Sequence, residues 1–230
     1  MAEVILALDL PNGAEAMRLL DRLPEVRWVK VGSILMTREG APLVRALIER
    51  GHRVFLDLKW HDIPNTVAGA VMAAKELGVS MATVHALGGR TMMEAAASAA
   101  GADIAIVGVT VLTSHDVASY GRATGRRDVR LVDEVVRQAE EATSAGLAGV
   151  VCSPAEVASV SRVLPAGGLV VVPGIRRETD TAGDQVRVAT AREAVRAGAT
   201  HLVVGRPVLQ APDPAGALQY LLEEARCVTS

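Results

Sequence analysis

The feature that most constrains this chain is an alternation that runs its whole length. Short runs rich in Val, Ile and Leu take turns with longer Ala- and Arg-rich amphipathic stretches, the signature of repeated βα units. Apolar runs predict strands near residues 4–9, 28–34, 53–59, 81–86, 104–112, 149–152, 169–173 and 201–205. The stretches between them predict helices near 13–22, 41–50, 66–77, 91–100, 130–145, 154–163, 190–197 and 214–226. Gly51, Gly78, Gly101, Gly146 and Gly198 stand at helix ends and each leads into a strand, the usual place for a C-terminal glycine. Eight such units in 230 residues predict an α/β chain forming a single-domain (β/α)8 TIM barrel over residues 1–230. An open doubly wound sheet is the alternative. The first strand is not followed by Gly-x-Gly-x-x-Gly, which counts against it.

Charge narrows the function classes. The chain has 24 Lys and Arg against 26 Asp and Glu, and only two Trp, two Tyr and one Phe. It therefore lacks both the positive field and the stacking platforms that nucleic acid binding uses. Val4 to Leu8 is too short to span a membrane and has no basic flank, so it reads as a strand and no membrane partner is expected. Cys152 and Cys227 lie in no ligand-like spacing, which fits a reducing compartment and a cytoplasmic location. His52, His85, His115 and His201 have no metal-ligand spacing either, so no metal is expected.

In a (β/α)8 barrel the reacting groups stand where strands end. Polar residues gather there: Asp9, Lys30, Asp57 with Lys59, His85, Thr113 with Ser114, Pro173 to Arg176, and Gly205 with Arg206. On the third strand, the two-residue spacing of Asp57 and Lys59 puts them on one face. Charges on a buried strand are costly unless they pair or work, so the pair is either a structural ion pair or part of a site. Asp9 and Lys30 on neighbouring strands can extend it into an alternating network, and Asp62 follows the strand end. A lysine beside carboxylates is favoured in its ammonium form. Lys59 therefore reads as a proton donor and not as a Schiff-base nucleophile. Arg206, near the end of the eighth strand, suits a phosphate, since loops after strands seven and eight often bind one. A surface arginine ahead of a helix-initiating Pro207 is the plain alternative. The long polar stretch 176–189 has the length of a functional lid.

The run Asp57-Leu58-Lys59-Trp60-His61-Asp62-Ile63-Pro64-Asn65-Thr66 resembles the signature of the orotidine 5'-monophosphate decarboxylase family. Leu8-Asp9, Val29 to Gly32, Val111 to Ser114, Pro173 to Arg176, Gly183 to Arg187 and Val204 to Pro207 agree with it in order and spacing. The resemblance implies cofactor-free decarboxylation of orotidine 5'-monophosphate to uridine 5'-monophosphate. Lys59 would protonate the ring carbon that loses carbon dioxide, with Asp57 beside the departing carboxylate and Lys30 in the same charge network. Asp62 and Thr66 would reach into the neighbouring subunit's site, making the working unit a homodimer. Asp9 and Lys30 would bind ribose hydroxyls, and Thr113 with Ser114 the pyrimidine. Gln185, Arg206 and the Gly205 backbone would hold the phosphate, with Arg176 nearby and Pro173 among the substrate contacts. The segment His115 to Asp128 departs from the family pattern, and His61 is either a site residue or a histidine at a helix entry. Two other readings stand beside this one: a metal-dependent sugar-phosphate decarboxylase or aldolase of the same barrel superfamily, and a noncatalytic nucleotide-phosphate binding barrel.

Overall fold

The computed structural model describes residues 2–177 and 188–226. Its sheet is a closed parallel barrel in which strand follows strand in chain order: β1 (Glu3–Ala7), β2 (Trp28–Gly32), β3 (Arg53–Trp60), β4 (Met81–His85), β5 (Ala105–Val109), β6 (Gly149–Val151), β7 (Leu169–Val172) and β8 (His201–Val204). Closure comes from β8 pairing with β1, Val4 against Leu202 and Leu6 against Val204. All eight strands lie where the apolar runs predicted them, so the barrel is the correct choice over the open sheet.

Helices cover the outside. They include α1 (Gly13–Asp21), α2 (Ser33–Glu49), α3 (Pro64–Glu76), α4 (Arg90–Ala100), α5 (Val117–Thr124), α6 (Leu131–Ser144), α7 (Val157–Ser161), α8 (Ala191–Ala197), α9 (Arg206–Leu209) and α10 (Pro214–Arg226). Side-chain parity explains why the strands are apolar on both faces. One set, with Leu6, Val29, Val54 and Leu202, packs outward into the helices. The other, with Ile5, Trp28, Phe55, Met81, Val107, Val171 and Val203, fills the barrel interior, so the interior is a packed core and not a pore.

Several boundaries differ from expectation for local reasons. β2 stops at Gly32 and helix begins at once at Ser33, broken at Gly40, whose φ is 63°. Pro42 two residues later restricts the residue before it and donates no backbone hydrogen bond, so only the second half of α2 is the helix expected at 41–50. β5 ends at Val109 and not at 112, which puts Thr113 and Ser114 in the following loop. The expected helix at 154–163 is a 3-10 turn (Pro154–Glu156) followed by the short α7. α5 occupies the unmatched segment 115–128, and Asp116 caps it in a box with Ser119. Gly198 ends α8 at φ 113°, and a Cβ there would collide with Ser161, so both backbone and space require glycine. Among the described residues no helix is long and apolar enough to cross a membrane. Cys152 is buried and forms no disulfide among the described residues, while Cys227 lies outside them.

Candidate active site

A cleft of about 410 Å³ opens at the C-terminal end of the strands. Asp9, Lys30, Asp57, Lys59, Thr113, Pro173, Arg176, Gly205 and Arg206 all line it, drawn from segments far apart in the chain. Its floor is the interior layer, through Ala7, Phe55, Val151 and Val203.

The charged side chains form a row of alternating sign. Lys30 Nζ lies 3.0 Å from Asp9 Oδ1 and 3.7 Å from Asp57 Oδ2. Lys59 Nζ donates to Asp57 Oδ1 at 2.8 Å. Gly32 makes room for this row, because a Cβ there would stand 3.1 Å from Lys30 Nζ. Asp57 is the most enclosed carboxylate of the row, its side chain 15% exposed, and it meets a different ammonium on each oxygen. A shielded carboxylate so paired recovers its desolvation cost through charge-assisted hydrogen bonding.

The end of β3 is irregular. Leu56 pairs with Ala82 but Trp60 pairs with Val84, so β3 carries two more residues than β4 across this interval. Lys59 sits within the irregularity at φ 52°, a left-handed conformation that costs a non-glycine residue about 1–2 kcal/mol. The simple alternation that groups Asp57 with Lys59 thus fails in the backbone, yet both side chains still reach the cleft. Thr83 of β4 supports the distorted segment: Lys59 N donates to its Oγ1 at 2.8 Å, and that hydroxyl donates to Asp57 Oδ1 at 3.1 Å.

At the opposite side of the cleft, Arg176 is buried, and one of its guanidinium nitrogens donates to the Ile175 carbonyl at 2.8 Å. The chain closes on itself here: Ile175 bridges to Ala189, and Arg176 N donates to Ala189 O at 2.9 Å. Gly205 and Arg206 stand where β8 passes into α9. Gln185, with Gly183 and the rest of 178–187, lies outside the described residues.

Not every expected residue joins the cluster. Asp62 is exposed, and its carboxylate accepts from the following Ile63 N at 2.6 Å. Thr66, in the first turn of α3, is exposed as well. Within one chain neither lines the cleft, and Ser114 does not line it either. His61 stacks on His85 with ring centroids 5.4 Å apart and planes at 27°. Burial first, then the charges of His61, Lys59 and His115, lower the His85 pKa. The segment 115–128 contributes nothing to the lining. It packs on α6 instead, where buried Tyr120 donates to Glu134 at 3.3 Å and accepts from Gln138 at 2.9 Å.

Residues 2–221 match the family described as Orotidine 5'-phosphate decarboxylase / HUMPS. The chain belongs to that family. A relative from Halorhodospira halophila (strain DSM 244 / SL1), named orotidine 5'-phosphate decarboxylase, is 50% identical over 228 residues, covering 96% of this chain and 94% of its own. A relative of the same name from Coxiella burnetii (strain RSA 493 / Nine Mile phase I) is 45% identical over 225 residues, covering 95% and 94%. The crystal structure of orotidine 5'-phosphate decarboxylase from Lactobacillus acidophilus matches with a TM-score of 0.87 at 34% identity, covering 99% of this chain and 100% of that one.

Sequence reasoning places the charged row, Thr113, Pro173, Arg176, Gly205 and Arg206 at this cleft, and all of them line it. It had missed Thr83 and the apolar lining from Leu10, Val111, Leu112, Cys152 and Leu209. Strand parity was the available signal for Thr83, which shares an inward face with Met81 and lies on the strand next to Asp57.

Proposed function

We propose that the protein is a carboxy-lyase that converts orotidine 5'-monophosphate to uridine 5'-monophosphate and carbon dioxide without a cofactor. The observation that carries this reading is the row Asp9, Lys30, Asp57, Lys59 along one side of the cleft, in a family member whose relatives bear that activity in their names.

The chemistry follows from where charge develops. The bond between the ring carbon and its carboxylate breaks, carbon dioxide leaves, and the electron pair stays on the ring carbon. Lys59 transfers its proton to that carbon and regains one from water after release. Before transfer, its ammonium is already held at 2.8 Å from Asp57, so it stabilises the growing negative charge without reorganising. Preorganisation of this kind is usually the largest single contribution to catalysis. Asp57 beside the substrate carboxylate raises the bound ground state by repulsion, a smaller effect working in the same direction.

Around the reacting carbon, Asp9 and Lys30 bind the ribose hydroxyls and Thr113 the pyrimidine, with Ser114 next to it outside the lining. The Gly205 backbone, Arg206, Arg176 and Gln185 take the phosphate, with Pro173 against the substrate. Asp62 and Thr66 serve the site of a second copy in a homodimer. Their exposure at the rim, next to Ile63 at 66% exposure, supports a surface that a partner covers.

A metal-dependent sugar-phosphate reaction fits less well, because Lys59 and Lys30 already face both oxygens of Asp57 and compete with any cation there. The direct experiment follows loss of substrate ultraviolet absorbance with purified protein in excess chelator. Full activity is expected; activity lost to chelator and restored by magnesium would overturn the proposal.

A further inference from the structure

The geometry points to Thr83 as a positioning residue for this site: its hydroxyl joins the Lys59 backbone to the Asp57 carboxylate and so fixes where the ammonium stands. This inference rests on the decarboxylase reading.

Hydrogen counting settles the roles. A backbone N–H can only donate and an ionised carboxylate can only accept. The single Thr83 hydroxyl must therefore accept from Lys59 N at 2.8 Å and donate to Asp57 Oδ1 at 3.1 Å. Neither valine nor alanine can do either. The same Asp57 oxygen accepts from Lys59 Nζ at 2.8 Å, which closes a ring from the Lys59 backbone through Thr83 and Asp57 back to the Lys59 ammonium.

The local backbone shows why such a group is needed. Between Leu56 and Trp60 the regular β3–β4 pairing lapses, so the Lys59 N–H has no ladder partner and takes the Thr83 side chain instead. Lys59 is held at φ 52°, a conformation that persists only where the surroundings over-determine it. Thr83 is fully buried, at 0% exposure, so its two bonds have no competition from bulk water. Its branched side chain is also restricted at χ1, which fixes the direction of the hydroxyl.

The test compares Thr83→Val, Thr83→Ala and Thr83→Ser with the wild type on orotidine 5'-monophosphate, measuring kcat, KM and thermal unfolding on the full chain. Loss of the hydroxyl is expected to lower kcat at least about tenfold, because misplacement of a reacting group by an ångström can cost about a hundredfold. KM should stay within about threefold, since Thr83 touches no substrate, and Ser should restore kcat to within about threefold of wild type. Where the Val variant does not fold, the Ala variant carries the same comparison. The inference is overturned by wild-type kcat in a hydroxyl-free variant, by a loss expressed in KM, or by a Ser variant as impaired as Val. A wild type that fails to decarboxylate would instead remove the underlying functional reading.

Discussion

The two ends of the barrel are built from the same strands and put opposite demands on their inward-facing positions. At the N-terminal end, Trp28 begins β2, Arg53 begins β3 and His201 begins β8. The Arg53 guanidinium lies 4.2 Å from the centroid of the Trp28 ring, and His201 meets that ring edge-on at 5.5 Å. Further along the same strands, two residues past Trp28 and four past Arg53, Lys30 and Asp57 stand in the middle of the cleft row. Polar groups at the closed end are accommodated by packing and, for His201, by loss of a proton. The row at the mouth is paired with opposite charge. One period-two pattern thus supplies a plug and a charged cleft, and what separates them is access to solvent and to opposite charge.

Mutation at the mouth should reach activity and leave folding alone. On the proposed mechanism, Lys59→Ala removes both the proton donor and the charge facing the carbanion, so kcat should fall by about a thousandfold or more. Its thermal midpoint should stay close to the wild type, as Asp57 keeps Lys30 and Thr83. Steady-state kinetics with a thermal melt on the same sample reads both, and a melt that falls in step with activity would erase the distinction. At the closed end the expectation reverses. Trp28→Ala empties the base of the interior and should cost about 3–5 kcal/mol in urea unfolding, with a much smaller change in turnover per folded molecule.

The same contrast marks what could be read from the chain beforehand. Strand positions and the mouth row depend on local periodicity, so Asp9, Lys30, Asp57, Lys59 and Arg206 were all legible as strand-end residues. The lapse of pairing at Lys59 was not, because it belongs to the register between β3 and β4 and no single strand encodes that. Thr83 in Met-Ala-Thr-Val-His reads simply as a β-branched strand residue; its two hydrogen bonds exist only once β3 and β4 are side by side. Asp62 and Thr66 illustrate another limit. Their expected partner is a second chain, and the signature run alone gives no geometry for it.

Acid should test the closed end through stability. Burial, with a smaller contribution from the Arg53 charge, lowers the His201 pKa to about 4. In the unfolded chain a histidine titrates near 6.5, so between pH 6.5 and about 4 the unfolded state binds a proton that the folded state refuses. Stability therefore falls with pH across that window and levels off below it. The lowered His52 and His85 values, each led by burial, act in the same direction. Comparing urea unfolding at pH 7 and 4.5, His201→Gln should shrink the difference by roughly 2–3 kcal/mol relative to wild type. An unchanged difference would mean that His201 is charged in the fold.

The smallest effect expected is the one that most finely dissects the plug. Arg53 has two influences at the closed end: its guanidinium covers the Trp28 face, and its charge holds His201 less willing to protonate. Arg53→Gln should lose about 0.5–1 kcal/mol at neutral pH, the usual worth of an exposed cation–π contact. In acid it should recover part of that loss, because His201 then protonates more readily in the fold and the gap between the two states narrows. The variant's stability curve should thus lie below the wild type at pH 7 and converge on it toward pH 4.5, with kcat unchanged throughout. Parallel curves would confine Arg53 to its contact with Trp28 and leave burial alone to account for His201.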